Sequence, residues 1–139
     1  MTTKLHVWVD AKGRPIVVLL TPGQAHEATM AEQLIKQGQV KYARVGRPRQ
    51  RPQRIVADKG YGSRSFRQFL RKRGIRSTLP RKANERRRGK FDKSIYRQRN
   101  IVERFFNRLK QSRRLATRYE KRAVNYLAMI TIACILMWL

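Results

Sequence analysis

Acidic residues are scarce in this sequence. Only 8 Asp and Glu stand against 34 Lys and Arg in 139 residues, a formal net charge of +26. A single Cys excludes an intramolecular disulfide and a cysteine-built zinc site. The two histidines, His6 and His26, are too few and too far apart for a His-rich metal centre. Met1 to Lys4 is polar, and the next apolar run is broken by Asp10 and Lys12, so no secretory leader is expected. What is present is a hydrophobic fraction of 41%, arranged in runs, which suits the core of one modest domain better than a disordered basic tail. A cytoplasmic protein that meets a polyanion is the first expectation.

The positive charge is grouped. Residues 41–54 carry Lys41, Arg44, Arg47, Arg49, Arg51 and Arg54 without an acid. Residues 64–90 carry twelve basic groups and one acid, Glu85, and residues 97–122 carry ten basic groups with Glu103 and Glu120. Such an excess repels itself unless a partner compensates it, most simply phosphate backbones that release their counterions. Arg dominates, and its planar fork matches phosphate oxygens.

Leu5–Asp10 and Ile16–Leu20 read as two strands of a hairpin turning through Asp10-Ala-Lys-Gly-Arg-Pro15. The second run is apolar throughout and is expected to be buried on both faces. Ala25–Gln37 reads as a helix with Ala28, Ala31, Leu34 and Ile35 inward and Gly38 as its stop. Residues 39–53 form a basic linker. Residues 54–80 form a βαβ unit: a strand from Arg54 to Ala57 ending at Asp58, a glycine turn Lys59–Gly62, and a helix from Ser63 to Arg73 with Phe66, Phe69 and Leu70 inward. Gly74 stops that helix, and a strand Ile75–Leu79 closes the unit. Residues 81–92 are a basic loop, and residues 93–139 hold two helices, a long one over 93–115 and an apolar one over 122–138. The last could span a membrane at the lower edge of length, roughly 20 residues being needed. A helix buried on most sides of an α/β core is the expectation, since the sheet needs a cover. Cys134, Trp8 and Trp138 are expected in the core, and structural roles are expected for His6 and His26.

With so few acids, their positions matter. Asp58 stands at a strand end before a glycine turn, where a carboxylate can hold a hard cation or simply serve the turn. On a wheel of 100° per residue, Tyr96, Arg99, Glu103 and Lys110 fall within about 60° of one another, and Ile95, Val102, Phe106 and Leu109 form a stripe about 90° away. Glu103 would then face outward among Tyr, Arg and Lys, or merely pair with Arg99 at i, i+4. Mg²⁺ takes oxygen ligands from one or two carboxylates plus substrate phosphate, and paired ions can drive phosphodiester displacement.

These residues resemble a known family. Thr2–His6 to Thr21–His26, Val56-Ala57-Asp58-Lys59-Gly60-Tyr61, and Tyr96-x2-Arg99-x3-Glu103-x6-Lys110 are similar to motifs in the C-terminal part of bacterial insertion-sequence transposases of the DDE class. The resemblance implies an α/β, ribonuclease-H-like fold with a mixed sheet. It implies that Asp58 and Glu103 are catalytic metal ligands for Mg²⁺ or Mn²⁺. It also implies that Tyr96, Arg99 and Lys110 position or neutralise transposon-end DNA, with Lys59, Arg104 and Arg108 as further DNA contacts. The reaction would be hydrolysis at the element's 3′ ends followed by attack of the freed 3′-OH on target DNA, within a homo-oligomeric synaptic complex at the nucleoid. The family's first catalytic Asp lies on a central strand upstream of the hairpin. This chain starts at the hairpin, and Asp10 belongs to the turn. Residues 1–139 are therefore expected to be a partial catalytic domain lacking the first central strand and inactive alone, with complementation by an upstream polypeptide, a frameshifted fusion product and decay into a non-catalytic remnant all open. The alternatives are a truncated transposase acting only as a DNA-binding protein, and an RNA-binding protein of similar charge.

Overall fold

The computed structural model of the chain describes residues 3–38, 45–46, 51–84, 86, 90–112 and 121–139. Most of the basic linker and part of the second basic loop lie outside them, as do residues 113–115 of the expected long helix. The chain divides into two compact units, Met1–Gln24 with Asn100–Leu139, and Ala25–Arg99.

The first unit begins with an antiparallel hairpin, β1 (Thr3–Val9) and β2 (Pro15–Pro22). Its register pairs Leu5 with Leu20 and Val7 with Val18, and it slips at Trp8/Val9 in a bulge. Asp10 builds the turn. Its Oδ1 accepts the backbone N–H of Lys12 and of Arg14, both at 2.9 Å. Its Oδ2 accepts Arg14 Nε at 2.8 Å and pairs with Nη2 at 2.7 Å. Gly13, with φ +78, takes the left-handed step that L side chains resist. Two of this unit's helices, here α4 (Asn100–Lys110) and α5 (Ala123–Trp138), pack on the ribbon. Phe105, Leu109, Ile130 and Cys134 form the buried centre, with Leu5, Val7, Val9, Val18 and Leu20 of the hairpin against it. His6 is buried and bonded to Thr21 Oγ1 at 2.8 Å, the structural role expected of it.

Three expectations change here. The apolar side chains of β2 reach full burial only at Pro15 and Val17; Ile16, Val18, Leu19 and Leu20 are half-buried. A two-stranded ribbon gives a strand one neighbour, not two. The C-terminal helix is not buried on most sides. Ile130 and Cys134 turn inward, while Val124, Ile132, Ile135 and Leu136 are exposed along one side. A helix lying on a narrow ribbon can be covered along only one stripe, however apolar its circumference. Among the described residues, no helix is long and apolar enough to cross a membrane. Trp138 is 42% exposed rather than in the core; its Nε1 donates to the Pro15 carbonyl at 2.7 Å and Arg14 lies 4.3 Å over its ring.

The second unit runs through α1 (Glu27–Gln37), β3 (Arg54–Val56), a 3₁₀ turn (Lys59–Tyr61), α2 (Arg64–Lys72), β4 (Arg76–Thr78) and α3 (Lys93–Arg97). β3 and β4 pair in parallel, Arg54 with Arg76 through Val56 with Thr78, so the βαβ unit forms as its pattern suggests. Among the described residues the hairpin and this pair are two separate two-stranded sheets, not one mixed sheet. Ala31, Leu34 and Ile35 of α1 and Phe66 and Leu70 of α2 are buried. Phe69 is only half-buried, with the Arg73 guanidinium 4.6 Å over its ring. Ser63 caps α2 by accepting the Phe66 N–H at 3.1 Å, a contact of about 1 kcal/mol. Gly74, φ +67, ends it: Ile75 N–H reaches Leu70 O at 2.9 Å and Gly74 N–H reaches Arg71 O at 3.0 Å, the paired bonds of a Schellman stop.

The expected long helix is two helices. Gln98 and Arg99 donate to Ile95 O and Tyr96 O, both at 3.0 Å and both three residues back, which tightens the chain between α3 and α4. Phe105, left out of the expected stripe although it lies next to Leu109 on the wheel, is the most buried residue of α4, with Leu109 beside it, while Val102 and Phe106 are half-buried. Ile95, the first residue of the expected stripe, belongs to α3 and the second unit.

Candidate active-site cluster around Asp58

β3 delivers the chain to Ala57 and Asp58, and the 3₁₀ turn then bends it away. Tyr61 N–H closes on Asp58 O at 3.0 Å and Gly62 N–H on Lys59 O at 3.1 Å. The turn leaves the Asp58 carboxylate at the strand's end, with its side chain 51% exposed.

α3 and the turn after it bring the partners. Asp92 caps that helix by accepting the Ile95 N–H at 3.1 Å, and the Phe91 and Tyr96 rings tilt together at 5.3 Å. Tyr96 and Arg99 then meet Asp58. The Tyr96 hydroxyl donates to Asp58 Oδ1 at 3.4 Å, and Arg99 Nη1 lies 3.0 Å from the same oxygen. The guanidinium also sits 5.7 Å from the centre of the Tyr96 ring. Partial burial and the Asp58 carboxylate push the Tyr96 phenol above its ordinary range against the opposing pull of Arg99, so it stays a donor at neutral pH. The second unit thus assembles an acid, a phenol and a guanidinium from two distant stretches of sequence.

Glu103 lies in the first turn of α4, in the other unit, where a negative charge suits the positive end of the helix dipole. Arg108 and Lys110 are exposed in the last turn of α4, and Arg104 is exposed with its Nε on Asn100 Oδ1 at 2.9 Å. Lys59 is exposed beside Asp58. Of the expected site residues, Asp58, Tyr96 and Arg99 are therefore in direct contact, and Lys59 adjoins them in sequence. Among the described residues no group of three or more His, Cys, Asp or Glu gathers as a metal site. The donors expected for a cation are carboxylate oxygens, the right chemistry for Mg²⁺ or Mn²⁺.

Glu27 was not anticipated in this neighbourhood, and Tyr61 was expected only as part of the Val56–Tyr61 motif. Glu27, the first residue of α1, lies against Gly60 of the turn. Tyr61 is largely enclosed, and burial first, then the Glu27 and Asp58 charges, raise its phenol to about 12. The scarcity of acids was the signal that could have drawn attention to Glu27, which directly follows the Thr21–His26 motif.

The cluster joins two of the three motifs on which the sequence resemblance rests, and residues 1–138 match the family of transposase DDE domains. The chain belongs to that family. A transposase DDE domain implies a ribonuclease-H-like fold, and the small sheets and helices seen here are mixed α/β. A protein of Brucella ovis named as a transposase for insertion sequence element IS6501 is 33% identical over 141 aligned residues, covering 100% of this chain and 99% of that relative. A protein of Burkholderia cepacia named as a transposase for insertion sequence element IS402 is 33% identical over 134, covering 96% of this chain and 61% of that relative. This DDE-domain chain thus spans nearly all of one relative and about three-fifths of the other. No solved structure matches it.

Proposed function

We propose that this chain works in DNA transposition as a transposase catalytic segment that grips element-end DNA and contributes to metal-dependent phosphodiester hydrolysis and strand transfer. Asp58 and Glu103 are the carboxylates that hold Mg²⁺ or Mn²⁺. When bound, such a cation supplies Lewis acidity to a phosphodiester under displacement. The chain's own residues bind and orient. Arg99, Lys110, Lys59, Arg104 and Arg108 carry the positive charge that holds phosphates beside the acids. Tyr96 offers a hydroxyl donor and a ring face beside the same carboxylate.

The observation that carries this reading is the Arg99–Asp58 contact of 3.0 Å with the Tyr96 hydroxyl on the same oxygen. A turn Asp with only a local role has no need of a phenol brought from a separate helix and a guanidinium from the turn that follows it. A third carboxylate, from an upstream transposase polypeptide, and assembly of copies into a synaptic complex at the nucleoid complete the proposal. Membership of the DDE family favours DNA over the RNA of an assembly as the polyanion.

The test is strand cleavage. Purified chain, with its upstream polypeptide supplied, is incubated with labelled element-end duplex and Mg²⁺ or Mn²⁺. Cleavage at the 3′ ends, lost in both Asp58→Ala and Glu103→Ala while duplex binding persists, is expected. DNA binding without cleavage in the wild-type protein would reduce the function to that of a truncated, non-catalytic DNA-binding transposase.

A further inference from the structure

α2 breaks a rule that α1 and α4 keep. A helix has a positive start and a negative end, so acids suit its first turn and bases its last. α1 opens on Glu27 and carries Lys36 in its last turn, where Lys36 also pairs with Glu32 at 3.7 Å. α4 has Glu103 in its first turn and Arg108 and Lys110 in its last. α2 opens on Arg64, has no acid in its first turn, and holds Arg67, Arg71 and Lys72 further on. These four cations share a helix of 9 residues with no acid among them, so they repel one another along it. A residue choice that weakens its own helix without local benefit marks a task outside the fold.

Several cations of this unit do serve the fold. Arg67 Nη2 donates to the carbonyls of Leu79 and Pro80, both at 3.1 Å, and ties α2 to the chain leaving β4. Arg51 Nη1 donates to Arg73 O at 3.3 Å, and Arg54 Nη1 to Thr78 Oγ1 at 2.9 Å. Arg73 lies over the Phe69 ring. Arg64, Arg71 and Lys72 differ. All three are exposed, and among the described residues no hydrogen bond or ion pair engages their side chains.

On a wheel of 100° per residue the three fall within about 100° of one another, with the exposed Gln68 between them. Phe66 and Leu70, both buried, lie on the opposite side. One face of α2 therefore fastens it to its unit, and the other is a basic strip. Arg64 and Arg71 lie two turns apart, about 10 Å along the axis. Duplex DNA carries one charge per about 1.7 Å of its own axis, so about six phosphates pass in that length. An anionic membrane fits less well. An interfacial helix sinks its apolar face into lipid, whereas Phe66 and Leu70 are already buried within the protein.

We propose that Arg64, Arg71 and Lys72, on the outer face of α2, form a phosphate-binding strip that holds the backbone of duplex DNA. The strip adds to the DNA contacts proposed around Asp58 and on α4. It rests on the DNA-gripping part of the proposed function and not on its metal chemistry. Backbone contacts of this kind set position and orientation without reading sequence.

The test is the salt dependence of duplex binding by the full chain. Fluorescence anisotropy of a labelled DNA duplex of arbitrary sequence is followed at a series of salt concentrations. The proteins are wild type, Arg64→Gln, Lys72→Gln, Arg64→Gln/Arg71→Gln, Arg64→Glu and a control, Lys12→Gln/Lys121→Gln, which removes two exposed charges from the other unit. The slope of log affinity against log salt is expected to flatten by about 0.9 in each Gln single variant and by about 1.8 in the α2 double. The control is expected to keep the wild-type slope. Arg64→Glu is expected to weaken binding and yet raise the melting temperature by about 2–4 °C, since an acid suits the helix start. An unchanged slope in the α2 double would overturn the proposal. So would equal flattening in the control, which would make net charge the cause. A lowered melting temperature in Arg64→Glu with binding intact would overturn it too, by giving Arg64 a structural purpose. A wild-type chain that binds no duplex would end the DNA reading and this inference together. A chain that binds through α2 but never cleaves would sink the metal chemistry alone. Circular dichroism melts check folding, and should the α2 double not fold, the single variants decide by their slopes.

Discussion

The ion pair between Asp58 and Arg99 can be weighed before it is measured. The perturbations are Asp58→Asn, which keeps the shape, Arg99→Gln, which shortens the side chain, and the two together, each single substitution removing one charge. The contact is short, 3.0 Å, but the side chains are 51% and 28% exposed, so water and salt screen the charges strongly. Exposed pairs of this kind are worth about 0.2–1 kcal/mol, whereas breaking a buried pair costs about 3–5 kcal/mol. The expected coupling is about 0.5–1 kcal/mol, in the upper part of the exposed range, because Tyr96 steadies the same oxygen at 3.4 Å. Urea unfolding of the four proteins at low salt gives the coupling as the departure from additivity. Repeating it at ~1 M salt, where the screening length falls to about 3 Å, should shrink the coupling further. A coupling of zero at low salt would refute the claim that α3 and the strand end are electrostatically joined. A salt-insensitive coupling of ~3 kcal/mol would refute the claim that the carboxylate stands open to solvent.

Other outcomes follow from the two units separately. Burial of Asp10 pushes its carboxyl up, but the bonds from Arg14 and Lys12 outweigh this and hold it below the ordinary value. The turn's contribution is therefore full above about pH 4 and is lost as pH falls through the lowered folded value; acid titration of Asp10→Asn against wild type should show the difference closing at low pH. Gly74→Ala puts a Cβ into a left-handed position and should destabilise the βαβ unit by about 1–2 kcal/mol in denaturant melts. Ile130→Ala should cost about 2–5 kcal/mol, while Leu136→Ala on the open side of α5 should stay within ~0.5 kcal/mol. Burial raises the Cys134 thiol to about 11, so thiol reagents at neutral pH should modify it only slowly until the protein is unfolded.

The local features were legible because their causes are local. Two short apolar runs on either side of the Asp10-to-Pro15 turn announce the hairpin, and Ser63 and Gly74 mark the ends of α2 by cap chemistry alone. The neighbourhood of Asp58 with Tyr96 and Arg99 was foreshadowed by the rarity of acids and by motif spacing. The interruption at Gln98 and Arg99 was not, since neither residue breaks a helix by its own propensity. Phe105 was missed for a different reason: it borders the stripe, about 40° from Leu109 on the wheel, and was left outside it. The open side of α5 was hidden because composition reports how apolar a helix is, not how much surface there is to lie on it. Glu27 was missed because the turn it lies against comes from a distant stretch of sequence, which only the folded backbone brings to it.

The oily, uncovered flank of α5 has a colloidal consequence. At low ionic strength a chain of net charge +26 keeps its copies apart by long-range repulsion. Added salt collapses that repulsion but leaves untouched the attraction between Ile132, Ile135 and Leu136 on neighbouring molecules. Purified material should therefore stay dispersed in dilute buffer and grow turbid as salt is raised, the reverse of ordinary salting-in, and a lysine placed at 132 or 136 should postpone the onset.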